Sequence, residues 1–515
     1  SMKKYSAILI VIILALIAGR YLLMPGYFSV HDDIQILRLE EMHQCFKDGQ
    51  IPCRWSPKFG AGYGLPMFNF YAPLATLIGM PFVWIGLDYM NSVKMAALLS
   101  YIVGGLGMFY LVKRLTESEK IGVMSAALYL FAPYHALDVL IRGAHSEIWA
   151  LSLLPWVLER ITNFVKLKKA KIDLSLTFVM GFYLISHNLM ILLGTPIIFV
   201  YGFILGIQSG IFRNIKISRN LISSLGLGGL LASFFLVPMI FEKNLVSTAT
   251  LMQDYFDYRN HFVSVDQLFF NYSYWANGSS VPGNGDTLSF QIGLIHWTLL
   301  LASLVAFGLV LIKSNGRKID WLWGLVATLS VASIVLTHSK SSSIWQLIPQ
   351  LAFVQFPWRW LGLAMVFIPL SIAFLVKNAG SSKYLIWAIT LVTVLLNLPF
   401  TSAFGYLESR SDKYYLEGRG ITRGSMGSIR DYLPVTVENT DIKPGMSYSI
   451  ETLSNGTAEI KNYISRSNYW SLDAIINDSQ GALITVPVFR FPGWQVVSDG
   501  MEVNSGIDEV NGFIT

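Results

Sequence analysis

Apolar runs of about 20 residues recur along this chain from its N-terminus to about residue 400, and no other feature restricts its fold so strongly. Some 20 helical residues cross the hydrocarbon core of a bilayer, so each run reads as a membrane span. Composition points the same way. Of the 515 residues 53% are hydrophobic and 14% charged, against about 25% charged in a soluble domain. A soluble enzyme, a disordered scaffold and a disulfide-stapled secreted module are thereby excluded. The formal charge of +6 comes from loop Lys and Arg assigned below to the cytoplasmic face, so no nucleic-acid partner is expected.

The fold class expected is a polytopic α-helical membrane protein of about eleven spans. They fall near residues 5–24, 92–112, 121–140, 148–163, 172–186, 189–209, 221–241, 290–312, 321–337, 358–376 and 384–400. Ser1 ahead of Met2 reads as a protease scar, and 5–24 as a retained first helix, because no small-residue cleavage site follows it. Lys and Arg concentrate in short cytoplasmic loops. With Lys3 and Lys4 inside, the alternating inside segments collect 18 of the 38 basic residues, among them Lys113, Arg114, Arg160, Lys166 to Lys171, Arg213, Lys313 and Lys377. Counting the apolar stretch 71–87 as a span would reverse every later loop, so it is expected to lie on or dip into the outer surface, broken by Pro73 and Pro81.

This topology leaves residues 25–91, 242–289 and everything after about 401 outside. Residues 1–400 then form a transmembrane domain and 401–515 an extracytoplasmic β-rich domain. Short alternating segments such as Tyr448–Leu453 and Ala482–Val488 read as strands, and Ser498-Asp-Gly500 as a hairpin turn. The chain stops just after an apolar pair and is expected to continue beyond Thr515. Cys45 and Cys53, the only cysteines, both fall in the first outside segment; a bridge and two free thiols are both open. There is no zinc spacing, Walker loop, Rossmann glycine pattern, nucleophile elbow or transporter-like internal repeat.

Ionisable groups near membrane depth are costly unless paired or functional, and here they gather on the outer side. Ser29-Val-His-Asp-Asp-Ile34 follows span one and precedes a surface helix with Ile34, Leu39, Met42, Cys45 and Phe46 on one face. Asp32 or Asp33 is either that helix's N-cap or a general base or metal ligand. Residues 54–73 add Arg54, Lys58 and glycines, with Trp55, Tyr63, Phe68, Phe70 and Tyr71 as flat faces that suit sugars or the headgroup belt equally. Arg142-Gly-Ala-His-Ser-Glu147 packs three ionisable groups into one short turn, and His187 opens span six, where it serves as a cap or a ligand. Arg359, between Trp358 and Trp360, either snorkels as an anchor or holds a phosphate. A single outward-facing polar cavity is the economical account of all of these.

His31-Asp-Asp33, the stretch Trp55 to Pro73, Arg142 to Glu147 and Phe356-Pro-Trp-Arg359 resemble the membrane-integral C-type glycosyltransferase superfamily. The wording is closest to the bacterial membrane proteins labelled 6-pyruvoyl-tetrahydropterin synthase-related and to the YfhO-like proteins. Phe491-Pro-Gly-Trp494 followed by Asp499-Gly500 resembles the outside domain of the latter. The resemblance covers essentially the whole chain. Nothing in the sequence supports pterin chemistry.

The resemblance implies a transferase of the bacterial cytoplasmic membrane, with the N-terminus inside, that passes a sugar from a polyprenyl-phosphate donor to a glycan, lipid or protein acceptor at the outer face, with inversion. By position Asp32 matches the base of such enzymes and Asp33 a second acidic position. Lipid phosphate would leave against Arg142, Arg359 or Lys58. His145 and Glu147 would orient the acceptor or bind a divalent cation, the one candidate cofactor. The expected site is thus Asp32 and Asp33 as catalytic carboxylates, with His31, Arg54, Lys58, Tyr63, Arg142, His145, Glu147, His187, Trp358 and Arg359 around substrate. A lipid-linked glycan transporter or flippase, or a non-catalytic assembly factor, is the alternative. The transporter would need polar groups at mid-membrane depth, of which the spans hold few.

Overall fold

All eleven apolar runs form helix in the computed structural model, which describes residues 2–248, 252–271, 278–281, 283, 286–313, 319–417, 431–438, 458–477, 479, 481–509 and 511–515. The helices begin with α1 (Met2–Ala18), α2 (Gln35–Lys47), α3 (Met67–Phe70), α4 (Leu74–Trp84) and α5 (Tyr89–Thr116). Then come α6 (Glu119–Leu130), α7 (Pro133–Ala136), α8 (His145–Lys166), α9 (Leu174–Leu184), α10 (Asn188–Ser209), α11 (Ile215–Leu231) and α12 (Ser233–Phe241). After α13 (Val265–Phe269) follow α14 (Leu294–Ile312), α15 (Trp321–Val335), α16 (Ser342–Leu347), α17 (Trp360–Asn378), α18 (Lys383–Asn397) and α19 (Asp412–Leu416).

The expected count of eleven spans is not confirmed. Among the described residues five helices are long and apolar enough to cross a membrane, or up to eight if each of three bent pairs is one span. The shortfall lies in α1 and α9, whose apolar stretches are short, and in α8, where Glu159 and Arg160 interrupt the apolar run. Pro81 is a second correction. It lies inside α4 without breaking it, while Pro73 sits just before the first turn.

Short polar residues start many of these helices. Asp88, Ser118, Asp173, Asn214, Asp320 and Ser382 each accept a backbone N–H of the first turn, which satisfies donors that the helix itself leaves open. The central helix α5 packs on α1, α4, α6 and α8, and α17 packs on α6, α14 and α15. The two ends of the bundle differ in chemistry. At the C-terminus of α5 the basic loops cap carbonyls: Lys166 donates to Arg114 O and Lys377 Nζ to Leu115 O at 2.9 Å. Glu159, fully buried, pairs there with Arg114 at 2.6 Å. The other end carries the acids and histidines of the candidate site.

In the C-terminal region β1 (Ala458–Arg466) pairs antiparallel with β2 (Tyr469–Ile476), β3 (Val486–Phe489) with β6 (Phe513–Ile514), and β4 (Val496–Ser498) with β5 (Met501–Val503). The β4–β5 hairpin turns on Asp499 and Gly500, both at positive φ, as a two-residue Asp-Gly turn requires. Of the expected strand Ala482–Val488, Val486–Val488 form part of β3 and Ile484 an isolated bridge, while the strand expected at Tyr448–Leu453 lies outside the described residues. This region sits against the first long loop: Phe489 N donates to Tyr63 O at 3.1 Å, and the Tyr63 ring packs on Phe489 and Phe513. Cys45 and Cys53 are disulfide-bonded, which closes the question the sequence left open.

Candidate functional site

The centre of the site is a turn of π-helix, Leu137–Arg142, that ends on Gly143 in the left-handed region. π-Helical turns are rare and frequent at functional sites. Gly143 is required by packing too, since a Cβ there would lie 3.0 Å from Val30 and 3.1 Å from the Asp32 carbonyl oxygen. The turn and the first turn of α8 direct Asp138, Arg142 and Glu147 to one point. Arg142 Nη1 donates to Asp138, to Glu147 Oε2 at 2.9 Å and to the Tyr134 hydroxyl at 3.2 Å. Tyr134 donates in turn to Glu147 Oε1 at 2.7 Å.

Arg359 arrives from the far side. Its Nε donates to Glu147 Oε2 at 3.2 Å, and its Nη1 to Val354 O at 2.8 Å and Gln355 Oε1 at 3.0 Å. Trp358 lies under the Arg142 guanidinium, 4.5 Å from ring centre to charge, and stacks on Phe356 and Phe290. All four charged groups are buried, and two Arg against two acids make the cluster formally neutral. That balance is what makes burial tolerable.

The first long loop lies on this cluster through its backbone. His31 N donates to Ile141 O at 3.0 Å, Asp32 N to Arg142 O at 2.9 Å, and Gln35 Nε2 to Gly143 O at 2.9 Å. Neither aspartate caps α2, whose N-cap is Ile34. The Asp32 carboxylate is exposed. Asp33 diverges from it, toward Tyr27 and Tyr415, whose hydroxyls its charge pushes up together with their burial.

One turn into α2, Arg38 is 8% exposed and has no ion pair among the described residues. Its guanidinium lies over the Tyr71 ring at 3.7 Å, and among the described residues its Nε and Nη1 have no hydrogen-bond partner. Tyr71 accepts from Ser146 Oγ at 3.0 Å. His145 stands next in line: burial, and then the Arg38 charge, push its imidazole down to about 4. Its Nε2 is buried and unpartnered, as is Trp149 Nε1 one turn later on α8. A buried guanidinium with idle donors is costly.

The structure therefore joins Arg142, Glu147, Trp358 and Arg359 directly, and His31 and Asp32 through backbone. His187 borders them. It caps α10, accepting from Met190 N at 3.2 Å, and feels Glu147, Arg359 and Arg142 electrostatically while burial pushes it down to about 3. Three expected members lie elsewhere. Lys58 pairs with Glu40 at 2.5 Å, Tyr63 is packed into the C-terminal sheets, and Arg54 donates to Asn69 Oδ1 at 2.9 Å. Among the described residues no group of three or more His, Cys, Asp or Glu could hold a metal ion. Glu147 is already committed to two arginines and a tyrosine, so the residues do not fit a cation there.

Sequence reasoning missed Asp138, Tyr134 and Arg38. Signals existed: Asp138 and Arg142 are four apart inside an apolar run, and Arg38 falls between Ile34 and Met42 on the apolar stripe of α2.

The model of the 6-pyruvoyl-tetrahydropterin synthase-related domain, a membrane-protein family, matches residues 68–404, more than half of the chain. The chain belongs to that family. Within the 6-pyruvoyl-tetrahydropterin synthase-related match fall Arg142, Glu147, His187, Trp358 and Arg359, while Asp32 and Arg38 precede it. No curated protein matches the sequence. Among solved structures, the chain is similar to the Archaeoglobus fulgidus oligosaccharyltransferase in its apo form, with 14% identity, a TM-score of 0.45, and coverage of 80% of this chain and 57% of that one. It is also similar to the arabinofuranosyltransferase AftD from Mycobacteria, at 14% identity and a TM-score of 0.45, covering 80% and 28%. For apo ArnT from Cupriavidus metallidurans the values are 15%, 0.38, 76% and 63%. This member of the 6-pyruvoyl-tetrahydropterin synthase-related family thus spans less than two thirds of each of those chains.

Proposed function

We propose that this protein is an inverting glycosyltransferase of the bacterial cytoplasmic membrane. It takes a sugar from a polyprenyl-phosphate donor and passes it to an acceptor hydroxyl at the outer face, with residues 401–515 outside. The observation that carries this reading is Arg38: a buried cation whose Nε and Nη1 have no hydrogen-bond partner among the described residues, beside the loop that holds Asp32.

In the proposed step the acceptor oxygen attacks the anomeric carbon. The bond from that carbon to the phosphate oxygen breaks, its electron pair stays on the phosphate, and the acceptor proton passes to the Asp32 carboxylate. Arg38 and the neutral His145 face the leaving phosphate, which Arg binds with a planar fork of donors. Fixed cations at a developing charge are the largest expected catalytic contribution. Arg142 and Arg359 are spent on Asp138 and Glu147, so they hold the frame on which the loop rests, and Lys58 has no part.

Binding of undecaprenyl phosphate to the purified full chain, read by native mass spectrometry, tests the reading. Wild type retains the lipid and Arg38→Gln loses it. Equal retention by both, or none by wild type, overturns it.

A further inference from the structure

A cavity lies away from this cluster, where the first long loop, the end of α12 and the C-terminal region meet. Its volume is about 480 Å³, within the range of roughly 300–1,000 Å³ usual for small-ligand sites. Two parts of its wall define its chemistry. On one side Trp494, half-buried, meets buried Trp55 edge-to-face at 5.7 Å, with Phe491 beside them. On the other side Arg54, Asn69 and Glu242 form a relay: Arg54 Nη1 donates to Asn69 Oδ1 at 2.9 Å and Asn69 Nδ2 to Glu242 Oε2 at 3.4 Å.

The relay occupies both ends of the Asn69 amide but leaves Arg54 with further N–H donors and Glu242 with further acceptor capacity. One cation and one carboxylate make the wall formally neutral, which disfavours a phosphate or a cationic peptide. It suits a neutral ligand that donates and accepts side by side on one edge and is apolar on its flat face. A saccharide has that form: vicinal hydroxyls on the rim, and C–H groups for an indole to cover.

The wall is also held in place. Gln50 Oε1 accepts from Arg54 N at 2.6 Å and Trp55 N at 2.7 Å, while its Nε2 reaches Ser467 Oγ at 3.1 Å in the β1–β2 turn. The Cys45–Cys53 disulfide closes the loop that carries Gln50. The C-terminal region thus completes the cavity rather than merely covering it.

We infer that this cavity is a neutral-saccharide site. Asn69, the penultimate residue of α3, precedes Tyr71, the ring beneath Arg38, by two positions, so one short segment of chain serves both this cavity and the corner assigned to the donor phosphate. The cavity's assignment to the acceptor rests on the transfer reading; the binding itself does not.

The test uses the full chain in detergent and a panel of neutral methyl glycosides (gluco-, galacto-, manno- and arabinofuranoside), with saturation-transfer NMR and tryptophan fluorescence as readouts. At least one glycoside binds wild type. Trp494→Ala and Glu242→Gln each weaken it about tenfold, the scale of one lost charge-assisted hydrogen bond or ring contact. Trp494→Phe, which keeps a flat face, restores most of it, and Arg38→Gln leaves it unchanged. If no glycoside binds wild type, or if both Trp494→Ala and Glu242→Gln bind as wild type does, the inference is overturned whatever the lipid does. Saccharide binding without any retention of undecaprenyl phosphate would sink the transfer reading and leave this site standing.

Discussion

The guanidinium of Arg38 lies 3.7 Å from the centre of the Tyr71 ring, and no carboxylate pairs with it among the described residues. An arginine kept for stability would be paired at such burial. One kept for a ligand waits with its donors idle. The two cases give opposite signs. Arg38→Met removes an uncompensated buried charge, so the ligand-free protein should melt at the same or a higher temperature. Affinity for lipid phosphate should fall about tenfold to a hundredfold, equivalent to about 1.5–3 kcal/mol for hydrogen bonds to a charged group. A clear drop in melting temperature would mark Arg38 as structural.

Glu147 should behave in the opposite way. Arg142 and Arg359 both donate to its Oε2, at 2.9 and 3.2 Å. Glu147→Ala would leave the buried Arg359 without a carboxylate and Arg142 with Asp138 alone, and losing one partner of such a cluster costs about 3–5 kcal/mol. Poor yield and an early unfolding transition in detergent are expected. Lys58→Ala breaks a partly exposed pair with Glu40 and should cost no more than about 1 kcal/mol.

Asp32 is exposed and its link to the cluster runs through backbone. Asp32→Asn should therefore leave the melting temperature unchanged within the error of a surface substitution, about 0.5 kcal/mol. Transfer from a polyprenyl-phosphate sugar should fall by about 10²–10⁴-fold, the usual share of a general base. Full activity in the folded variant would remove Asp32 from the mechanism.

Glu41 supplies a pH dependence. It is fully buried on α2, and burial first, then the neighbouring Glu40 charge, push its carboxyl up to about 8 from 4.5, against a hydrogen bond from Lys58 N. A carboxyl raised on folding contributes stability that is complete below pH 4.5 and lost as pH rises through 8. Below pH 6.5 the depressed imidazoles of His145 and His187 act the other way, adding stability as pH rises, so thermal stability of wild type should fall only in the window from 6.5 to about 8. Glu41→Gln, which cannot ionise, should melt at nearly constant temperature across it.

The sequence by itself determined the membrane class, the helical runs and their order. Those properties are local: a stretch of apolar residues dictates helix in a bilayer whatever its neighbours do. It also grouped Arg142, Glu147, His187 and Arg359 as one polar set, on an expected count of eleven crossings that the structure does not confirm. The Asp499-Gly500 hairpin was legible locally, since two residues specify the turn.

Only the tertiary structure decided which charges are spent and which are idle. Arg142, Arg359, Lys58 and Arg38 are equivalent cations to a reader of the chain. Packing gives the first three a carboxylate each and gives Arg38 a ring and two empty donors. Likewise Asp32 and Asp33 are neighbours in sequence, yet backbone pairing at residues 31 and 32 ties the Asp32 main chain to Arg142 with its side chain exposed and leaves Asp33 beside Tyr27 and Tyr415. Arg142 with Asp138 and Lys58 with Glu40 pair near in sequence, but Arg359 with Glu147 and Asp32 with Arg142 meet within a few ångström from segments a hundred or more residues apart. Coulomb energies and hydrogen bonds fall off within that distance, so no local pattern can encode them.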